Sequence, residues 1–167
     1  MRPDNRYLWR QGRRRLDAEP MRDALLAASG ELDRSIGGES KPLDDGFRRR
    51  TLYAKTSRFQ QDETLSLFDL PSASVTCEQR ATTNVPLQKL FFLNSEMVRQ
   101  RAEALGKRIE RTEVRDGVEA AYRLLFLRSP SEHERQLAVT FLEASGSGRW
   151  AEYAKVLLSS NEFAYVD

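Results

Sequence analysis

Apolar residues recur at helical spacing along most of the chain, and the polar positions between them supply the starts and stops of the elements. Asp17 to Ser29 is the clearest early helix. Asp17 stands at an N-cap, Pro20 lies in the first turn, and Gly30 follows as a C-terminal stop. Met21, Leu25, Ala28 and Leu32 share one face, so a kinked continuation past Gly30 is also open. Before it, residues 4–15 read as a short helix capped by Asp4 or Asn5, with Tyr7, Leu8 and Trp9 as an apolar patch. Residues 35–47 break the pattern around Gly37-Gly38 and read as a loop. Weak alternation over Arg50 to Lys55 suggests one short strand, and Asp62 to Phe68 a short capped helix. Residues 69–86 are irregular, punctuated by Pro71 and Pro86.

The second half is more regular. Pro86 to Ile109 reads as one long helix, with Leu90, Leu93, Met97 and Ala104 near one stripe and Leu87 and Leu105 beside it. Val114, Val118, Ala121, Tyr122 and Leu125 define a helix over Glu113 to Leu127. Ser131 and Glu134 form a capping box ahead of a helix that turns Leu137, Ala138, Phe141 and Leu142 to one side. Gly146-Ser147-Gly148 is a turn. A last helix over Arg149 to Ser159 faces Trp150, Tyr153, Ala154, Leu157 and Leu158 inward. In the tail, Phe163 and Tyr165 are apolar enough to demand docking. The pattern predicts a mainly α fold: about six packed helices, an irregular belt near 69–86 and at most one short strand.

Composition agrees. The chain of 167 residues holds 21 leucines against 8 valines and 2 isoleucines, a balance that favours helix over strand. No apolar run approaches the roughly 18 residues of a membrane span. A single cysteine permits no internal disulfide and no cysteine cage for a metal, and a single histidine permits no His-x-x-x-His site. Formal charge is +2. It divides unevenly, and the basic excess lies in the first 60 residues, around Arg13-Arg14-Arg15 and Arg48-Arg49-Arg50. Asp17, Glu19, Asp23, Asp44 and Asp45 are interleaved nearby, so the plainer expectation is that arginine–carboxylate pairs absorb much of it. The N-terminus shows no apolar signal-peptide core, so the chain as it stands would remain cytoplasmic.

No complete catalytic set is legible, and no catalytic, cofactor-binding or metal-binding residue is assigned. Cys77 and His133 are the sole Cys–His combination. His133 falls in the first turn of a capped helix and reads as a solvated surface residue. Cys77, with Arg80 three residues on, reads as a buried structural cysteine, although the arginine would favour a thiolate. Gly37-Gly38 lacks the rest of a phosphate loop, and Asp44-Asp45 and Asp62-Glu63 lack calcium-loop spacing. Arg6, Arg10, Arg13 and Arg14 give the first helix a basic face. That face would suit nucleic acid, but pairing with acids of a neighbouring domain is the simpler account.

Several stretches together resemble a known family. They are Asn5-Arg6-Tyr7-Leu8-Trp9-Arg10, Arg13-Arg14-Arg15-Leu16-Asp17-Ala18-Glu19, Ser29-Gly30-Glu31-Leu32-Asp33, Leu67-Phe68-Asp69-Leu70-Pro71, Cys77-Glu78-Gln79-Arg80 and Thr82-Thr83-Asn84-Val85-Pro86-Leu87-Gln88. Leu93-Asn94-Ser95 and the ending Ser160-Asn161-Glu162-Phe163-Ala164-Tyr165-Val166-Asp167 complete the set. The chain resembles the C-terminal part of the planctomycete cytochrome c-associated proteins, the region known as domain of unknown function 1553. Lys89, where the family has a small residue, and the loop Ile36-Gly37-Gly38-Glu39-Ser40 depart from the pattern.

The resemblance implies a single helical domain that is the C-terminal part of a larger, exported, multidomain protein. In such a protein haem c would be carried upstream, with no cofactor in this chain. The partners it implies are upstream domains of the same architecture or another protein. Three functions follow as expectations. The first is a non-catalytic docking module with an exposed apolar or basic face along residues 4–32. The second is part of an enzyme of polysaccharide catabolism, with Arg80 and Asn94 as its polar contributions. The third is nucleic-acid binding through the arginine-rich first helix.

Overall fold

In the computed structural model, residues 12, 14–44, 46–80, 83, 85–144 and 149–166 are described. Among them the order is β1 (Arg14–Arg15), α1 (Ala18–Ser29), a single 3-10 turn (Thr51–Tyr53), α2 (Glu63–Leu67), α3 (Pro86–Asn94), α4 (Glu96–Ile109), α5 (Val114–Phe126), α6 (Glu132–Glu143), α7 (Arg149–Leu158), α8 (Asn161–Ala164) and β2 (Tyr165–Val166). The fold is mainly α, as the periodicity predicts.

The core is built on α4 packed against α7, with α1 lying across α4. Val98, Ala102, Leu105 and Ile109 are buried along α4, and Ala154, Leu157 and Leu158 meet them from α7. Met21 and Leu25 of α1 and Val118 and Ala121 of α5 close the same cluster. The approach of α4 and α7 depends on Gly106: a Cβ there would stand 2.8 Å from the Ala151 backbone nitrogen. Gly117 of α5 is equally confined, since a Cβ there would run into the Trp150 indole and the Ile109 carbonyl. Helix α1 ends at Gly30, whose φ of 81° takes the left-handed turn that closes a helix and excludes the kinked continuation. Arg108 reinforces the stop by donating to the Ala27 and Ala28 carbonyls at 3.1 and 2.9 Å.

Several expectations are corrected. The helix over 4–15 lies largely outside the described residues, but its predicted end does not: Arg14 and Arg15 are strand, paired antiparallel with Val166 and Tyr165. The cause is tertiary, since the backbone groups of the docked tail supply the ladder, and Leu16 N–H donates to the Ala164 carbonyl at 2.9 Å. Two short strands therefore replace the single one expected. Arg50 to Lys55 forms no strand; Thr51–Tyr53 is a 3-10 turn, and Ala54 touches Lys41 through an isolated parallel bridge.

The long helix over 86–109 is two helices. Ser95 is extended (ψ 132°), its N–H closing α3 on the Phe91 carbonyl and its carbonyl opening α4. Asn94-Ser95 is a pair whose side chains compete with helical backbone, which is why the run breaks there. The break also changes which face is buried. Gln88 and Phe92 point inward, while Leu87, Leu90 and Leu93 are exposed. Leu137 of α6 is likewise exposed rather than inward. The Gly146–Gly148 turn lies outside the described residues.

Other local predictions hold. Asp62 caps α2, accepting from Leu65 N–H at 2.9 Å. Ser131 and Glu134 form the capping box of α6. Phe163 is buried against the core, and Tyr165 packs beside it.

Candidate functional site

A broad concavity runs along the outer face of α1. It is a cleft of about 820 Å³, closed on its far side by residues 43–62 and 70–80. Pro20, Ala24 and Ala27, spaced i, i+4 and i+7 on α1, make one smooth wall, and Leu32, Leu65 and Leu70 deepen it. Such a volume with an apolar lining is ordinary for a binding site.

Its rim is charged and internally paired. Arg80 forks onto Glu19, with Nη1 at 2.7 Å from Oε2 and Nη2 at 3.0 Å from Oε1, and Asp17 stands 3.9 Å away. The hydrogen bonds from Arg80 hold the Glu19 carboxyl below its ordinary pKa, and Glu19 in turn raises that of Arg80. Asp23 accepts from the backbone and hydroxyl of Thr51 at 2.8 and 2.7 Å and faces Arg50 at 3.7 Å.

Buried arginines hold the cleft in place. Arg22, on the inner side of α1, donates to the Phe47 carbonyl and reaches the Arg49 carbonyl and Thr51 hydroxyl at 3.3 Å. Its guanidinium lies over the Phe47 ring at 5.4 Å. Burial lowers its pKa. Arg15 pairs with Asp69 at 2.7 Å and also donates to Gln88 and the Thr83 carbonyl. Burial works to raise the Asp69 pKa, but the bonds from Thr83 and Arg15 outweigh it and the net shift is downward. Arg101 and Arg48 both approach Glu31, at 3.0 and 3.6 Å. Arginine–carboxylate pairing thus absorbs much of the basic excess, as the interleaved acids suggested.

The residues singled out from sequence fare differently. Arg80 lines the cleft. Asn94 is exposed at the end of α3 and takes no part in the cleft, so the two are not brought together. Cys77 is exposed, not buried, because it lies in the irregular belt with no core beside it; its thiol meets the Gln79 carbonyl at 3.1 Å. His133 is exposed in the first turn of α6, as expected. Neither Cys77 nor His133 lines the cleft. Of the arginines on the proposed basic helix, Arg6, Arg10 and Arg13 lie outside the described residues, and Arg14 is exposed on β1. Among the described residues, no group of three or more His, Cys, Asp and Glu side chains is placed to hold a metal ion. No helix among them is long and apolar enough to cross a membrane. The buried roles of Arg15 and Arg22 had no sequence signal, since each reads as one more charge beside a helix.

The fold and cleft define a helical module with a concave face and a paired charged rim. The chain belongs to the family described as protein of unknown function (DUF1553), whose profile matches residues 1–142. The match takes in the whole cleft and ends within α6; α7, α8 and the Ser160–Asp167 ending lie beyond it. No curated protein and no solved structure matches the chain.

Proposed function

We propose that the chain is a non-catalytic docking module whose cleft receives a peptide segment presented by an adjoining domain or a partner protein. One observation carries this reading: the cleft is lined largely by apolar groups, its carboxylates Glu19 and Asp23 are engaged by arginines, and neither the cysteine nor the histidine reaches it. Side chains committed to one another serve shape and recognition rather than proton transfer. Along the opposite wall, residues 55–57 and 60–62 run outside any helix or strand, with Lys55 N–H bonded to the Lys41 carbonyl and Gln60 N–H to the Ser57 hydroxyl. Lys55 forms no ion pair among the described residues and offers the rim a cation for a partner carboxylate. Along the described part of residues 4–32, the expected face takes the form of this apolar wall of α1.

The enzyme reading retains one supporting observation, the position of Arg80 on the cleft. Among the described residues, no aromatic ring lines the cleft to stack on a sugar.

Panning a random dodecapeptide phage library on the purified chain tests the docking reading. Enrichment is expected for the unmodified chain and loss of it for Ala24→Trp and Ala27→Trp, which fill the cleft from its helical wall. Peptides that bind all three equally would show that the cleft is not the receiving surface. No enrichment at all would count against peptide docking.

A further inference from the structure

The wall of the cleft formed by residues 70–80 is built differently from the others. Its two ends are tied together. Asp69 accepts from the backbone N–H of Thr83 at 2.9 Å and from its hydroxyl at 2.7 Å. Asp69 also turns the chain, with a φ of 65°. A surface segment of this length with joined ends is an Ω-loop. Residues 72–80 are all exposed, Val75 among them. Two neutral hydrogen bonds, Gln61 to the Pro71 carbonyl and Ser74 to the Arg58 carbonyl, link the loop only to the irregular segment beside it. Across the cleft mouth, the tie from the loop to α1 is the fork of Arg80 on Glu19, with Asp17 alongside. Leu70, Pro71, Ala73 and Arg80 all line the cleft, so the position of the loop sets the width of the opening.

We infer that residues 70–80 are a lid on the cleft, hinged where Asp69 meets Thr83 and latched by Arg80 on Glu19. The hinge is sheltered: Asp69 is 13% exposed and pairs with the buried Arg15. The latch is open to water, with Arg80 42% exposed. Half-exposed pairs of this kind hold weakly and are screened by salt, whereas sheltered ones are not. Releasing Arg80 therefore detaches the loop from α1 while its base stays fixed and two neutral hydrogen bonds alone restrain the rest of it.

Cys77 sits on this loop and is the only cysteine of the chain, so a nitroxide can be attached there without any substitution. The mobile component of its electron paramagnetic resonance spectrum is expected to rise roughly two- to fivefold in Glu19→Gln and in Arg80→Gln, the range set by a half-exposed ion pair. The double variant is expected to rise no further, because both changes break one latch. Raising sodium chloride to about 0.5 M should move the unsubstituted chain the same way, while Lys107→Gln, exposed on α4 and outside the cleft, leaves the spectrum unchanged. Far-UV circular dichroism melts that coincide with the unsubstituted chain confirm that the fold is intact. Spectra indifferent to both the substitutions and salt would overturn the proposal, as would a label already fully mobile at low salt. The readout needs no ligand, so it can fail without the docking reading failing, and the converse.

Discussion

The contact between α4 and α7 and the belt wrapped around α1 hold the same chain together by different means. Between the helices, glycine and alanine let backbones meet, and the contact is almost wholly apolar. Around α1, the irregular segments are tied down by guanidinium groups. Arg15 gathers Asp69, Gln88 and the Thr83 carbonyl, and Arg22 gathers the carbonyls of Phe47 and Arg49. Helices satisfy their own backbone groups and need only an apolar face. A belt without a ladder cannot do so, and its carbonyls require donors from elsewhere. Arginine, with five donors in a fixed plane, fills that need several times over. The cleft lies where these two constructions meet.

The largest effect is expected from breaking the belt. Arg15→Met should destabilise the chain by about 3 kcal/mol, since it leaves the sheltered Asp69 carboxylate facing an apolar side chain and strips the Thr83 carbonyl and Gln88 of a donor. Adding Asp69→Asn should recover part of that loss by removing the stranded charge, and asparagine tolerates the left-handed turn at this position. Urea melts of the single and double variants measure both. A single variant within a few tenths of a kcal/mol of the unsubstituted chain would mean that the belt does not depend on its arginines.

A somewhat smaller loss is expected from the helical side. Gly106→Ala and Gly117→Ala should each cost about 2 kcal/mol, the usual penalty for forcing atoms into a packed interior. The two differ in what they strike. The new methyl at Gly106 meets the backbone of Trp150 and Ala151, whereas at Gly117 it meets the indole ring and the Ile109 carbonyl. Adding Trp150→Phe should therefore relieve Gly117→Ala in part and leave Gly106→Ala unrelieved. Thermal melts in which both are rescued alike would contradict this packing.

The same contrast explains what the sequence revealed. Helices whose apolar face is continuous, such as α1, α5 and α7, were legible, because periodicity encodes that one buried stripe. The stripe predicted for α3 was wrong for the same reason. Leu87, Leu90 and Leu93 fit a helical repeat, but the chain turns at Ser95 and buries Gln88 and Phe92 instead. Arg14-Arg15 resembled helix because its partner strand lies at the opposite end of the chain. Of the cleft, Arg80 was visible as a polar candidate in the irregular belt, but the carboxylate it grips is 61 residues away. No local pattern marks a side chain whose role is to satisfy distant carbonyls.

Arg128 brings a charged fork into the helical half, and here the expected effect is smallest. It joins Glu134 at 2.8 Å and Glu162 at 2.6 Å, linking the end of α5 to the starts of α6 and α8. The Arg128 fork, together with the capping bonds of Ser131, holds the Glu134 carboxyl down to about 2 from an ordinary 4.5. A carboxyl whose folded pKa is depressed contributes stability that is present above its unfolded pKa and lost as the pH falls towards the folded one. The window is thus from about 4.5 down to about 2. Because the three side chains are partly exposed, the contribution should stay below about 1 kcal/mol. Glu134→Gln keeps a cap acceptor and removes the charge. Its melting temperature is expected to fall slightly below that of the unsubstituted chain near neutral pH and to converge with it near pH 2. A gap that persists unchanged at low pH would mean that the fork acts through shape alone, as the apolar contacts around it do.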